Sequence, residues 1–445
     1  MGILTAEKGI FKEPNSVFGK ILIVVAVVLF TTRMLTRTPL VNYYMFFEAF
    51  WYMFITAFTF VYAFYIILVR RRIDEIHYYL WLIFWMPIHA GIGASLSEGF
   101  PVLSGIVSQR HWYGISGVFF LIFLLQIKFI TLKDVFRAFE WVGWGCLFYF
   151  IWCYIFLDPK QYLDTSFVGY SDIKGGYRFK FGIDFIAFLG LYYTILYVKK
   201  RSSQMLFYSA IFLSYMFFLH QGRSVMLAIL GSIAVFYMFE VNLRRALRVF
   251  IIVSAGFMAI MGIMYMIIPD RVNDYIYQYT SLATVVFTGE TSGESSVDAR
   301  LEEMAILFVY LIGYPIGWII GLGKFASSES SGSQVHDITT VPPGDIGILG
   351  SIITYGILGT LYIYFQFFIA LRSFSFVRGH IKDGFYLTAK YFLVFCFLSS
   401  LAKGYLFMQP GSTAIFIMVI YMYKLVEIEY DNIGIKDKDI KVDAF

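Results

Sequence analysis

The chain is short of charge. Only 15% of its 445 residues are Asp, Glu, Lys or Arg, where about 25% is usual in soluble domains. Cysteine is equally scarce: Cys146, Cys153 and Cys396 are the only three, each inside an apolar run, so they read as small buried hydrophobes and exclude a disulfide scaffold. No His/Cys cluster has zinc spacing. No GxxxxGK[ST] loop is present to cradle phosphates, since Gly321-Leu322-Gly323-Lys324 lacks the spacing. The net charge of +5 carries no nucleic-acid signature.

Apolar surface is what the chain has in excess. Hydrophobic residues make up 59% and aromatics 20%, more than a soluble protein of this length hides. The composition excludes a cytosolic enzyme and a disordered chain, and predicts an all-α polytopic membrane protein. Runs long enough to cross a bilayer fall near 17–35, 47–69, 78–97, 113–131, 141–157, 183–198, 204–220, 224–240, 249–268, 346–371, 385–402 and 411–427. The first is read as retained, because no small-residue cleavage site follows Lys8, Lys12 and Lys20.

Basic clusters orient these spans. Arg70, Arg71 and Arg72 follow the second, Lys128, Lys133 and Arg137 the fourth, Lys199, Lys200 and Arg201 the sixth, and Arg244, Arg245 and Arg248 the eighth. Every cluster follows an even-numbered span, which predicts a cytoplasmic N-terminus. A thirteenth run, 305–322, contains Gly313-Tyr314-Pro315-Ile316-Gly317. Were it to cross, Arg372, Arg378 and Lys382 would fall outside. The expectation is therefore a single integral membrane domain over 1–445 with about twelve transmembrane helices and both termini in the cytoplasm. Residues 269–345 form a long outer loop containing short helices, with 305–322 interfacial or re-entrant, and 158–182 form a second outer loop. The polar tail from 428 is expected to fray.

Cationic charge on the outer side runs against this pattern. Arg33, Arg37, Arg110, Lys160, Lys174, Arg178, Lys180, Arg223, Arg271, Arg300 and Lys324 fall on or near it. An arginine at the membrane edge is a functional-site hypothesis by default, and the forked guanidinium suits phosphate oxygens. Arg223 stands in the minimal corner His220-Gln221-Gly222-Arg223-Ser224, where a snorkelling anchor is the plain alternative. Arg178 lies at the entry to the sixth run, with interfacial anchoring equally open. Arg300, in Asp298-Ala299-Arg300-Leu301-Glu302-Glu303, fits a surface ion pair as well as a site. His336 read alone is solvated loop polarity. The first outer loop, Arg37 to Asn42, has no carboxylate pair, which argues against glycosyltransferases that work from acids there.

The order of these segments resembles the O-antigen ligase and Wzy-type polysaccharide polymerase superfamily of bacterial envelopes. The resemblance runs from about 174 to 360. It consists of Arg178…Gly182-x-Asp184, the corner Gly222-Arg223-Ser224, Arg300 before an apolar helix, and Pro315-Ile316-Gly317…Gly321-Leu322-Gly323-Lys324-Phe325. His336-Asp337 and Asp345-Ile346-Gly347-Ile348-Leu349-Gly350 complete it. Near Asp184 the Asn-Pro pattern is missing, and Asp337 stands where the ligases often carry Asn.

The resemblance implies a GT-C-like helical bundle capped by the long periplasmic loop, in the bacterial cytoplasmic membrane. It implies metal-independent polymerisation of undecaprenyl-pyrophosphate-linked oligosaccharide repeat units at the outer face, with no cofactor. Arg223 and Arg300 would grip the pyrophosphate with Arg178 supporting, and His336 would deprotonate or orient the acceptor hydroxyl. Membrane lipid, a chain-length regulator and a flippase are the implied partners, with no nucleic acid. A ligase transferring finished glycan to a lipid or protein is the close alternative. A lipid-linked oligosaccharide flippase or other transporter is the alternative of another class. A transporter calls for charges along a path and for paired broken helices, neither of which is evident in the sequence.

Overall fold

The computed structural model describes residues 17–69, 75–163, 167–171, 176–220, 222–241, 295–323, 343–374 and 383–433, with isolated positions between 258 and 273 and at 377. It is mostly helical. Chain order runs α1 (Val17–Thr32), a 3-10 turn (Met34–Arg37), α2 (Val41–Phe64), α3 (Ile76–Glu98), α4 (Val102–Ser108), a 3-10 turn (Arg110–Ile115), α5 (Ser116–Gln126) and α6 (Leu132–Phe156). A two-stranded hairpin, β1 (Val168–Ser171) and β2 (Gly176–Phe179), then precedes α7 (Asp184–Lys200), α8 (Ser203–Ser214) and α9 (Arg223–Glu240). The chain closes with α10 (Ser295–Gly313), α11 (Gly317–Ile320), α12 (Gly347–Phe374), α13 (Gly384–Ala402), α14 (Tyr405–Met408) and α15 (Pro410–Ile433).

Six helices among the described residues are long and apolar enough to cross a membrane: those over Val41–Leu68, Ile76–Ser97, Leu132–Phe156, Gly347–Phe374, Gly384–Ala402 and Pro410–Ile428. Shorter apolar helices run over Phe18–Thr32, Ser224–Glu240 and Met304–Gly313. The run 249–268 lies almost wholly outside the described residues.

Burial sorts the helices. Of the apolar window in α15, 83% is buried inside the protein, against 28% in α2, so α15 is the central post and α2 a peripheral helix. Around α15 the core is aromatic. Phe188 stacks on Phe416 at 5.1 Å, Phe392 meets Phe416 at 4.2 Å, and Phe139 meets Phe185 edge-on at 5.1 Å. Offset and edge-to-face packing of this kind adds to the gain from burial. Helix α2 instead exposes Phe46, Phe47, Phe50, Phe54 and Phe64, which suits a helix whose solvent is lipid.

The β-hairpin is an addition to the all-helical expectation. The strands are antiparallel, with Gly169 opposite Arg178 and Val168 opposite Phe179. Alternation in Tyr177-Arg178-Phe179-Lys180-Phe181 explains it, because Phe179 and Phe181 are buried while Lys180 is exposed. Phe181 stacks on Phe150 of α6 at 4.5 Å, which fixes the hairpin to the end of that helix.

Polar contacts assign the loops to two ends. Glu75, before α3, pairs with Lys424 of α15 and with Arg372 of α12, while Asp383 accepts from Tyr423 and Glu240 from Lys390. At the other end Ser412 donates to the carbonyl of Thr32, Gly404 to that of Gly344, and His111 to that of Phe407. The second end carries Arg33, Arg37, the hairpin and the start of α9, and is called the arginine end below.

Between α3 and α12 the chain enters the bundle. Helix α10 stops at Gly313, Pro315 follows, and α11 leads into Gly321 and Gly323 at φ of 79° and 76°. Helix α12 is broken at Gly356, with φ 65° and ψ 179°. Such a break strands the carbonyls of Ile353 and Thr354, whose usual partners are the amides four residues on. Leu322 and Gly323 donate to them at 2.7 and 3.0 Å, and His89 of α3 donates to the carbonyl of Tyr355 at 2.8 Å. A Cβ on Gly323 would lie 2.3 Å from the Ala90 carbonyl oxygen. Ala90 is eight residues short of Glu98, about 12 Å below the end of α3 at the usual rise. Irregular backbone survives at such depth only because protein satisfies it.

Candidate functional site

The end of α6 organises the arginine end. Tyr154 donates its hydroxyl to the carbonyl of Phe179 at 2.9 Å and approaches that of Leu219 at 3.3 Å. One side chain thus ties the strand that carries Arg178 to the π-helical turn Tyr215–His220 that leads into Arg223. Arg223 is the first residue of α9, preceded by Gly222 in extended conformation. A Cβ on Gly222 would meet His220 Nε2 at 2.9 Å, and His220 itself is buried. The structure therefore brings the backbones of Arg178 and Arg223 to one place. Arg300 sits on another support, in the second turn of α10, a helix whose Leu307 and Leu311 pack on Ile346 and Ile353. His336, the proposed base, lies outside the described residues, as do Arg271 and Lys324.

The corner between α1 and α2 adds charged groups to the same end. Arg33 adopts the left-handed region, φ 55° and ψ 31°. Its Nε and a terminal nitrogen contact the two oxygens of Glu48 at 2.6 and 3.3 Å, and Tyr52 donates to Glu48 at 3.0 Å. Glu48 is 5% exposed. Charge pairing at a buried carboxylate accounts for Arg33 without a ligand. Sequence reading grouped it with the other outer arginines because Glu48 lies inside an apolar run that is read as a span.

Arg37, at the end of the 3-10 turn, is half-buried. Thr38 beside it donates to the carbonyl of Leu35 at 2.9 Å, and Met34 three residues earlier lies against Gly182. Asp184 opens α7 at 5% exposure. Its Oδ2 has no hydrogen-bond partner among the described residues. Sequence reading places Arg37 among the outer cations and Asp184 in the motif at the start of the sixth run, and gives neither a specific role.

The structure thus ties the segments that carry Arg178 and Arg223 to the terminal turns of α6. Compared with known proteins, the chain matches no family model, no curated protein and no solved structure.

Proposed function

We propose that the chain is a polytopic glycosyltransferase of the bacterial cytoplasmic membrane that polymerises undecaprenyl-pyrophosphate-linked oligosaccharide repeat units. In this reading the shorter helices and the run 249–268 complete about twelve spans, both termini are cytoplasmic, and the arginine end faces the periplasm. The loop 269–345 covers it. The acceptor hydroxyl attacks the anomeric carbon of the donor, the bond from that carbon to the pyrophosphate oxygen breaks, and undecaprenyl pyrophosphate leaves. His336 takes the hydroxyl proton or orients the hydroxyl. Arg223 and Arg300 neutralise the leaving pyrophosphate, supported by Arg178.

Pyrophosphate is already a good leaving group, so holding and charge neutralisation are the main tasks. Loss of one such preformed donor costs about 3–4 kcal/mol of transition-state stabilisation, and a base of near-neutral pKa adds about 10²–10⁴-fold. The observation that carries the reading is the Tyr154 hydroxyl, which ties the Arg178 strand to the corner that precedes Arg223.

The broken helix α12, with the inserted turn at Gly321–Gly323, favours a second reading, since discontinuous helices line transport sites. One experiment separates the two. Purified protein in vesicles is given undecaprenyl-pyrophosphate-linked repeat units in the presence of EDTA. A polymerase yields a ladder of lengthened glycan, and a ligase yields a single transfer to an added acceptor. A flippase moves the lipid-linked sugar across the bilayer with no change in its length, and that result refutes glycosyl transfer.

A further inference from the structure

We infer that the outward face of α6 binds an anionic phospholipid at the end of the bundle opposite the arginines, with the lipid phosphate at Lys133 and Arg137 and an acyl chain along Trp141 and Phe148. The inference stands on these residues and their neighbours in α1, and does not rest on the glycosyl-transfer reading.

Helix length fixes the end. Helix α6 has 25 residues, so its first residue lies about 36 Å from its last at the usual rise. Its last turn carries Tyr154, which organises the arginine end, and its first turn therefore stands at the other. Helix α1 runs the same way, since Thr32 at its close lies at the arginine end.

Residues four apart share one face of a helix. Along α6 that stripe reads Lys133, Arg137 and Trp141, then Gly145, where an added Cβ would meet nothing within 4 Å, and then Phe148. Lys133 and Arg137 are half-buried, while Trp141 and Phe148 are 42% and 64% exposed. The face passes from cationic to aromatic to apolar, in the order in which a phospholipid passes from phosphate to chain. Helix α1 supplies the adjoining wall. Phe18 packs on Trp141 with ring centres 5.5 Å apart. Lys20 carries its Nζ to 5.6 Å from the centre of the Phe129 ring, in the turn that enters α6. A third cation thus reaches up along apolar surface to the segment just before Lys133.

This placement of charge has a cost that an anion removes. Like charges four residues apart on a helix repel, and cations in the first two turns oppose the helix dipole. Both acids of these turns are committed inward. Asp134 accepts from the amide and the hydroxyl of Thr131 at 2.9 Å each, and Glu140 accepts from Tyr193 at 3.2 Å. A phosphate set between Lys133 and Arg137 relieves the repulsion and takes charge-assisted hydrogen bonds from both. Basic groups at the edge of a helical bundle are where anionic headgroups lodge, and the exposed rings below make the occupant a lipid rather than a soluble anion. Helix α2 is the contrast. It exposes phenylalanines with no basic residue in its last turn and no acid in its first, so it offers lipid chains a surface without choosing a headgroup.

The test is lipid retention by the full chain, purified in neutral detergent and given mixed micelles of phosphatidylglycerol and phosphatidylcholine, with bound lipid identified by native mass spectrometry. The wild-type chain should retain phosphatidylglycerol in preference. The double variant Lys133→Gln, Arg137→Gln should reduce that preference by about twentyfold, on a scale of about fivefold for each basic residue near an anionic surface. Its thermal midpoint should stay at or slightly above the wild-type value, because the repulsion is gone. Lys199→Gln, Lys200→Gln, in the last turn of α7 at the same end, should leave the preference unchanged, and Arg137→Lys should keep it as well. Glycerol phosphate, a headgroup without chains, should not displace the bound lipid. Displacement by glycerol phosphate would show a site for free anions and overturn the inference. An equal loss in the Lys199, Lys200 pair would show only the diffuse field of a basic face, and would overturn it too. So would a wild-type chain without preference, or an unchanged preference in the Lys133, Arg137 pair.

Discussion

The amide of Leu322 donates to the carbonyl of Ile353 at 2.7 Å, so a turn after α11 satisfies an acceptor that α12 loses by breaking at Gly356. Two irregular segments, each untenable alone inside a bilayer, complete one another.

This relationship fixes what Gly356 tolerates. Its φ of 65° is a conformation L side chains rarely adopt, and a Cβ would lie 2.1 Å from the Ile319 carbonyl oxygen. Gly356→Ala should destabilise the protein by about 3 kcal/mol or more, by strain and by backbone displacement. Gly145→Ala is the control, since no atom lies within 4 Å of its added carbon. Thermal unfolding in detergent reads both variants. Equal midpoints for the two would show that the broken helix is not a fixed feature.

Glu48 should matter for folding. Removing one partner of a buried pair leaves the other uncompensated, typically at about 3–5 kcal/mol, and the 21% exposure of the Arg33 side chain places this pair at the lower end. Glu48→Gln should lower the thermal midpoint, and the double variant Arg33→Met, Glu48→Leu should recover most of it. A silent Glu48→Gln would mean that the corner is held by other contacts.

Sidedness can be read with single cysteines in a background lacking Cys146, Cys153 and Cys396. An impermeant thiol reagent added outside should reach position 336 and fail at 378. Arg372, six residues before 378, meets Glu75 at the end opposite the arginines. Labelling at 378 from outside would show that 305–322 crosses the membrane and that the orientation is misread.

Lysine variants test the pyrophosphate clamp. If Arg223 and Arg300 bind by the guanidinium fork, a point charge cannot replace them. Arg223→Lys and Arg300→Lys should each abolish or severely reduce chain elongation at normal membrane abundance. Arg271→Lys should be nearly silent, and His336→Ala should lower activity without loss of folding. Full glycan ladders from both arginine-to-lysine variants would refute the clamp.

Composition alone determined that this is a helical membrane protein; the apolar run near 385–402 foretold α13 closely, while the runs near 47–69 and 141–157 foretold α2 and α6 but missed their starts at Val41 and Leu132. The reason is that partition into lipid is close to a sum over residues, so it is legible one residue at a time. Pro315 and its flanking glycines likewise announced that 305–322 is not a continuous helix. Only the tertiary structure decided that Gly356 breaks α12, because a glycine inside an apolar run is read as helix until a neighbour supplies the missing donors. The same holds for the arginines. Arg33 and Arg37 are alike in sequence, and what separates them is Glu48, which packing brings against the first. Guanidinium chemistry is a property of the residue, but its availability depends on the partner that packing brings within a few ångströms.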